Sequence, residues 1–298
     1  MSGLEQRTSV GFIGLGNIGA PMAKRLRNWP GGLVVHDAFP DAMEPFVSRG
    51  VIGAANAAEV ASQAAVICVM VQNSDQVRDV LEGPDGILAT ALPGTVVAVH
   101  STISAEAAID LAALAATAGV ELVDAPVSGG AIGAHDGTLA VMVGGTDTAA
   151  ERCRPVFDHF AGMVQHMGPV GAGTQTKIAR NLITFASFAV VGEAQRLAEA
   201  AGLDLGKLGE VVRHSDKITG GPGAIMIRPT AAEMDVEDGL RPIFGHTATL
   251  GGKDLELAIR MGEDLGVDVP LALLAAQTLP AALGLETYEP PVLPVEGD

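Results

Sequence analysis

The 298 residues of this chain are enough for about two domains, each large enough to bury a hydrophobic core. Its 18 lysines and arginines stand against 35 aspartates and glutamates, which gives a net charge of −17. This charge repels phosphate backbones and anionic lipid, so we expect neither nucleic acid nor a membrane surface as a partner. With 48% hydrophobic and 18% charged residues, the composition predicts a folded protein.

The first part of the chain predicts alternating strands and helices. The predicted strands are short apolar runs at Val10 to Ile13, Leu33 to His36, Val66 to Val71, Val96 to Val99, Glu121 to Val123 and Val141 to Val143. Segments with helical spacing, many of them rich in alanine, lie between these runs. Such alternation is typical of a parallel sheet that has helices on both faces.

Beyond about residue 170 the sequence predicts helices alone. They cover residues 176–201, 205–214, 253–265 and 271–283, and the stretch from 215 to 252 is interpreted as a loop. The middle of the first helix, LITFASFAVV, is apolar nearly all round and is therefore expected to be buried. We predict one domain over residues 1–170, a second over 171–298, and an irregular terminus at 289–298.

A glycine-rich turn lies between the first predicted strand and the following helix. Residues 14–19 read GLGNIG and match the pattern G-x-G-x-x-G. In such a turn Gly14 permits the tight bend, Gly16 leaves room for a pyrophosphate, and Gly19 allows close packing of the helix. The alternative is a glycine-rich loop without a ligand. The motif predicts dinucleotide contacts from Gly14, Gly16, Asn17 and Ile18.

An acidic residue ends the second predicted strand. Asp37 lies 18 residues beyond Gly19, where a carboxylate accepts hydrogen bonds from an adenosine ribose and repels a 2′-phosphate. No arginine or lysine occurs among residues 38–41. We therefore expect NAD as the cofactor, with NADP less favoured. The alternative is that Asp37 is a solvated loop carboxylate.

The middle of the chain supplies a candidate substrate loop. In Ser128-Gly129-Gly130 a hydroxyl and flexible backbone N–H groups form a concavity that suits a carboxylate. An ordinary turn is the alternative.

Lysine and asparagine share one face of the long predicted helix. Lys177 lies near its start and Asn181 follows at i+4. A lysine that enters an apolar cleft between domains loses hydration, which favours its neutral form and prepares it for proton transfer. Asn181 then orients the amine or a substrate hydroxyl. Taken alone, such a pair is also compatible with an exposed helix surface.

Five ordered motifs together resemble the β-hydroxyacid dehydrogenase family, which includes 3-hydroxyisobutyrate dehydrogenase and tartronate semialdehyde reductase. They are VGFIGLGNIGAPMAKRL at 10–26, STIS at 101–104, DAPVSGGAIGAHDGTLAVMVGG at 124–145, GPVGAGTQTKIARN at 168–181 and KDLELA at 253–258. The resemblance implies an α/β Rossmann-type N-terminal domain with a parallel-rich sheet, an all-α C-terminal domain, and a long interdomain helix that joins them.

The resemblance also implies roles for individual residues. Lys177 corresponds to the catalytic lysine of the family and Asn181 to its companion, while 128–130 match the substrate loop. Thr102 and Lys253 are implied to contact the nicotinamide end of the cofactor. Val71 is implied to lie in a loop that lines the cofactor. The sequence departs from the family pattern at Gln72, His100, Arg180 and around His246, which leaves the substrate open.

The expected reaction is reversible oxidation of a small 3-hydroxy acid by NAD, with Lys177 as general acid and base. Alternatives are tartronate semialdehyde (2-hydroxy-3-oxopropionate) or related aldehyde-acid reduction, imine reduction, and a non-catalytic NAD-binding regulator. The partner is then a small carboxylate-bearing substrate. The family resemblance further implies a homodimer or homotetramer.

The two cysteines carry little functional information. Cys68 and Cys153 lie far apart and show neither metal-ligand spacing nor a disulfide framework, so we expect no metal site and a reducing compartment. The N-terminus has no signal-peptide pattern, and no apolar run reaches the length of about 18 residues that spans a membrane. These features predict a soluble cytoplasmic protein.

Overall fold

The structure is a computed structural model that describes residues 8–285, so the terminus predicted at 289–298 lies outside the described residues. Two compact units divide the chain between Asn181 and Leu182. The boundary predicted at 170/171 stays a prediction.

The first unit alternates strands with helices. Its strands are β1 (Ser9–Ile13), β2 (Leu33–His36), β3 (Ile52–Gly53), β4 (Ala64–Val69), β5 (Val96–Val99), β6 (Glu121–Asp124), β7 (Val127–Ser128), β8 (Leu139–Gly144) and β9 (Ala161–Gly168). Its helices are α1 (Gly19–Arg25), α2 (Pro40–Val47), α3 (Ala57–Ala61), α4 (Ser74–Glu82), α5 (Ala105–Thr117), α6 (Gly130–Asp136), α7 (Asp147–Phe157) and the start of α8 (Ala172–Ala200). A short 3₁₀ turn follows α4 at Ile87–Ala89.

The strands form a single mostly parallel sheet. Strands β1 to β6 run parallel in the order β3-β2-β1-β4-β5-β6. Strand β8 then pairs antiparallel with β6 and β7, and β9 runs parallel beside β8. An order that reverses between β1 and β4 is that of the doubly wound dinucleotide-binding folds. The predicted Rossmann-type domain is therefore confirmed.

Both faces of the sheet are buried. In β4, Val66 and Cys68 belong to the core on one face, whereas Ile67 and Val69 belong to the core on the other. Successive side chains of a strand point to opposite faces, so a strand covered by helices on both sides must be apolar throughout. Each large side chain buried in this way stabilises the fold by about 1.5–3 kcal/mol.

Three strands were not predicted. Strands β3 and β7 are only two residues long, too short for a periodic signal. Strand β9 is longer, but it carries Gly162, Gln165 and His166, and most of its side chains are partly or largely exposed. Its strand conformation follows from pairing with β8, which is a tertiary contact.

The second unit is helical, as predicted. After α8 come α9 (Leu205–Thr219), α10 (Arg241–Leu265) and α11 (Pro270–Ala282), with a 3₁₀ turn at Gly221–Ile225. The loop predicted over 215–252 is wrong at both of its ends, because α9 continues to Thr219 and α10 begins at Arg241. The segment GHTATLGG weakens the helical pattern, yet Pro242 suits the first turn of a helix and Phe244 packs in the core of this unit.

The apolar middle of α8 is not buried in the single chain. Leu182, Phe185 and Phe188 are 70%, 62% and 63% exposed, so the described part of one chain does not supply the predicted burial, and burial against a second copy stays a prediction. An all-round apolar helix predicts that every face is covered, whereas the described elements leave these side chains open to solvent. Within residues 8–285, no helix is both apolar enough and long enough to cross a membrane.

A buried histidine joins the ends of β5 and β6. The Nδ1 of His100 donates to the carbonyl of Ala125 at 2.7 Å, and its ring packs edge-on against Phe157 and Phe160. Its Nε2 has no hydrogen-bond partner among the described residues. Burial lowers the pKa of His100 from 6.5 to about 4.

We expect His100 to make the protein acid-sensitive. Between pH 6.5 and 4 the unfolded chain protonates this side chain while the folded chain resists, so acidification favours unfolding by up to about 3 kcal/mol. Below pH 4 both states are protonated and the penalty is constant. When urea unfolding is compared at pH 7 and pH 4.5, the free energy of unfolding should fall less for His100→Gln than for the wild type. The same comparison with His135→Gln, at a side chain that is 82% exposed, should match the wild type.

Candidate functional site

The carboxyl ends of β1, β2 and β4 surround a cavity of about 610 Å³. This is the crevice at which the strand order reverses, where open α/β sheets bind ligands. Six of the eight residues predicted to bind the cofactor line it: Gly14, Gly16, Asn17, Ile18, Asp37 and Val71. The structure thus brings together turns that are distant in sequence.

The turn after β1 is built for close approach of a ligand to the backbone. Gly14 has φ 93°, and its N–H donates to His36 O at 2.9 Å. A Cβ at Gly14 would collide with Met70 O, whereas one at Gly16 would meet no described atom within 4 Å. The open space at Gly16 and the helix that begins at Gly19 fit the pyrophosphate of a dinucleotide.

Asp37 connects the ends of β1 and β2. Its Oδ2 accepts from Leu15 N at 2.6 Å, and its Oδ1 accepts from Phe39 N at 2.9 Å. The carboxylate therefore has a defined position on the cavity wall. None of the described residues that line this cavity is lysine or arginine.

A serine that was not among the predicted site residues connects the ends of β4 and β5. Ser101 Oγ accepts from Val71 N at 2.9 Å and donates to Val71 O at 2.8 Å. The exposed Thr102 follows directly. The available signal is a hydroxyl placed just after a strand in STIS, but only the structure identifies its partner.

The predicted lysine contacts the residue that precedes the predicted substrate loop. Lys177 Nζ donates to Val127 O at 2.6 Å, and Val127 immediately precedes Ser128. Burial lowers the pKa of the Lys177 amine, and the nearby charge of Arg180 lowers it further. The half-buried amine thus contacts the chain one residue before the segment 128–130, in the same unit as the cavity.

The other predicted residues occupy separate places. Asn181 lies on α8, where its Oδ1 accepts from Arg180 at 3.4 Å. Lys253 lies on α10 in the second unit, with its Nζ 3.3 Å from Asp254 Oδ1, and its cofactor contact stays a prediction. The described residues contain no cluster of three or more metal-ligating side chains.

Fold and cavity together define a protein built around a dinucleotide-binding domain. Residues 9–168 match the model for the NAD-binding domain of 6-phosphogluconate dehydrogenase, and residues 171–288 match the NAD-binding model of NADP-dependent 3-hydroxyisobutyrate dehydrogenase. The chain therefore belongs to the β-hydroxyacid dehydrogenase family, whose members are NAD(P)-binding oxidoreductases.

Individual relatives match over nearly the whole chain. An uncharacterised oxidoreductase of Mycobacterium tuberculosis is 53% identical over 276 residues, which cover 93% of both chains. The NAD-dependent L-serine dehydrogenase of Pseudomonas aeruginosa is 35% identical over 268 residues, or 89% of each chain. The crystal structure of a putative oxidoreductase from Mycobacterium avium has a TM-score of 0.88 at 49% identity, covering 93% of this chain and 98% of that one.

Two glycines of the turn should respond differently to alanine. Gly16→Ala adds a methyl group where the protein has open space, so the melting temperature should stay within about 2 °C of the wild type. That methyl group would occupy the path of the pyrophosphate, and we expect NAD binding to weaken at least about tenfold. Differential scanning fluorimetry and isothermal titration calorimetry measure the two effects.

Gly19→Ala is the matched comparison. Its Cβ would collide with Gly14 O, so this variant should lower the melting temperature by several degrees. Wild-type NAD affinity in Gly16→Ala would contradict the assigned phosphate position.

Proposed function

We propose that the protein is an NAD-dependent dehydrogenase that reversibly oxidises a small 3-hydroxy acid to its semialdehyde or keto acid, with Lys177 as general acid and base. The observation that carries this proposal is the 2.6 Å hydrogen bond from Lys177 Nζ to Val127 O, next to Ser128. NAD, when bound, supplies the hydride-transfer chemistry. The residues of the chain bind and orient the substrate, and they move the proton.

The surroundings of Lys177 suit proton transfer. A neutral amine has two N–H donors and one lone pair, so it donates to Val127 O and still presents its lone pair to a substrate hydroxyl. Because burial and Arg180 lower its pKa, the neutral form is available nearer to neutral pH than for an exposed lysine. Lys177 then accepts the hydroxyl proton in oxidation and returns it in reduction.

The segment 128–130 is proposed to bind the substrate carboxylate. Gly129 and Gly130 have φ of 134° and 63°, a backbone path that few other residues adopt. Such a path turns consecutive N–H groups toward one side, and the Ser128 hydroxyl adds another donor. Binding the carboxylate here holds the substrate close to the Lys177 amine. Asn181, one helical turn after Lys177, is proposed to orient the amine or the hydroxyl.

NAD is proposed as the cofactor rather than NADP. Asp37 is the residue proposed to accept hydrogen bonds from the adenosine ribose, and its charge repels a 2′-phosphate. The cavity wall also contains Asp79, and none of its described residues is a cation that would pair with a phosphate. The nicotinamide contacts implied for Thr102 and Lys253 remain part of this proposal.

Initial-rate assays test the reaction. We expect NADH formation with one or more of 3-hydroxyisobutyrate, 3-hydroxypropionate, glycerate and L-serine, and at least about tenfold lower kcat/KM with NADP. The longer 4-hydroxybutyrate is the matched control and should react poorly. The reverse assay with tartronate semialdehyde distinguishes a reductase for that acid.

The Lys177→Ala variant tests the proton-transfer role. We expect kcat to fall by about 10²–10⁴-fold while the Kd for NAD stays near the wild-type value. For the wild type, kcat/KM for oxidation should rise with pH as the amine deprotonates, with its midpoint below the usual 10.5 of lysine. Binding of NAD without turnover of any acid would instead support a non-catalytic regulator.

We also propose that the protein is a homodimer or homotetramer, with the apolar middle of α8 in the interface. The side chains of Leu182, Phe185 and Phe188 are exposed, and burial of each one would stabilise an oligomer by about 2 kcal/mol. A second copy presents the same face for a symmetric contact. Sedimentation equilibrium should give an oligomer, and the double variant Phe185→Ser/Phe188→Ser should shift it toward monomer. A wild-type monomer at about 50 μM would contradict this proposal.

A further inference from the structure

The carboxylate of Asp124 binds the first turn of α8. Asp124 ends β6 and is fully buried, with 0% of its surface exposed. Its Oδ1 accepts from Gly171 N and its Oδ2 accepts from Thr174 N, both at 2.7 Å. These N–H groups flank the first residue of α8, Ala172, so Asp124 caps this helix from a neighbouring strand.

This capping arrangement compensates for the burial of a charge. Burial raises the pKa of Asp124, and the hydrogen bonds from Gly171 and Thr174 act in the opposite direction. The first N–H groups of a helix lack partners within the helix and carry a partial positive charge, so a carboxylate satisfies them better than a neutral side chain does.

The backbone around the carboxylate leaves little space. A Cβ at Gly144 on β8 would collide with Asp124 Oδ1, and a Cβ at Gly173 on α8 would collide with Met142 O and lie 2.5 Å from Asp124 O. The first turn of α8 therefore lies directly against the backbone of β6 and β8. Hydrogen bonds and packing together restrict its position along the sheet.

The same helix carries Lys177, less than one turn beyond Thr174. An α-helix is rigid over this distance, so a shift of its first turn moves the lysine backbone by a similar amount. Lys177 Nζ contacts Val127 O on β7, and β7 pairs with β8. The capped turn and the lysine thus contact the same part of the sheet at two points.

We propose that Asp124 is a positioning residue for Lys177: by binding the N-terminal turn of α8, its carboxylate places the amine beside the substrate loop. This inference rests on the proposed function of Lys177. Loss of the interaction should lower turnover, whereas the NAD cavity, formed by the ends of β1, β2 and β4, should keep its affinity.

The test is a double-mutant cycle with Asp124→Asn and Lys177→Ala. Asparagine has nearly the shape of aspartate, but its amide NH₂ would face one of the two backbone N–H groups. We expect Asp124→Asn to lower kcat by about 10–100-fold for the best acid of the panel, with the Kd for NAD changed less than about threefold. In the Lys177→Ala background, Asp124→Asn should change kcat by less than about twofold.

Glu193 provides a matched control. It is also buried, at 4% exposed, and accepts from Leu271 N at 3.0 Å and Ala272 N at 2.8 Å at the start of α11. Glu193→Gln should lower the melting temperature by several degrees, as Asp124→Asn should, but leave kcat within about threefold. This comparison separates positioning of the lysine from a general loss of stability.

The outcomes are distinguishable. If Lys177→Ala lowers kcat but Asp124→Asn lowers it by the same factor in both backgrounds, or not at all, the positioning role is wrong and the proposed function stands. If Lys177→Ala leaves kcat unchanged, both proposals are wrong about the lysine. Should Asp124→Asn fail to fold, Asp124→Ser, which keeps one acceptor oxygen, replaces it in the cycle under the same expectations.

Discussion

The two hydrogen bonds from Gly171 and Thr174 to the carboxylate of Asp124 determine where α8 begins on the sheet. An ionised carboxylate without partners would cost several kcal/mol to bury, and the free N–H groups of a buried helix start would be costly as well. Pairing them removes both penalties together. The alternative positions of α8 are therefore disfavoured, and the contact between Lys177 and Val127 depends on that single arrangement.

The same kind of interaction recurs elsewhere in the molecule. Asp37 accepts from two backbone N–H groups, one of which belongs to the glycine turn after β1, and Glu193 accepts from two at the start of α11. Each carboxylate joins two elements by accepting hydrogen bonds from backbone N–H groups. Every residue except proline carries such a donor, whatever its side chain. In the first unit, Asp37 acts at the predicted cofactor end and Asp124 at the predicted proton-transfer end. Between these two ends, Ser101 holds the loop after β4 through its two hydrogen bonds with the backbone of Val71.

Sequence patterns predicted the parallel sheet well because its strands are buried on both faces. An uninterrupted run such as that of β4 is distinctive, and the glycine turn follows β1 directly. The patterns failed where conformation depends on a neighbour. The polar edge strand β9 forms against β8, and the first half of α10 is helical although its glycines weaken the periodic signal. The exposed middle of α8 shows a related limit, because an apolar run indicates a need for burial without identifying what covers it.

Patterns along the chain are enough to predict the class of fold, the dinucleotide turn, and the family to which the chain belongs. These depend on residues close together along the chain, whose periodicity and order are directly legible. The groups that position the cavity wall and the lysine are instead defined by contacts between residues far apart along the chain. Val71 and Ser101 are 30 residues apart, Asp124 and Gly171 are 47, and Val127 and Lys177 are 50. Such pairs meet because the strand ends and the start of α8 come together at one edge of the sheet, and no local pattern encodes that meeting.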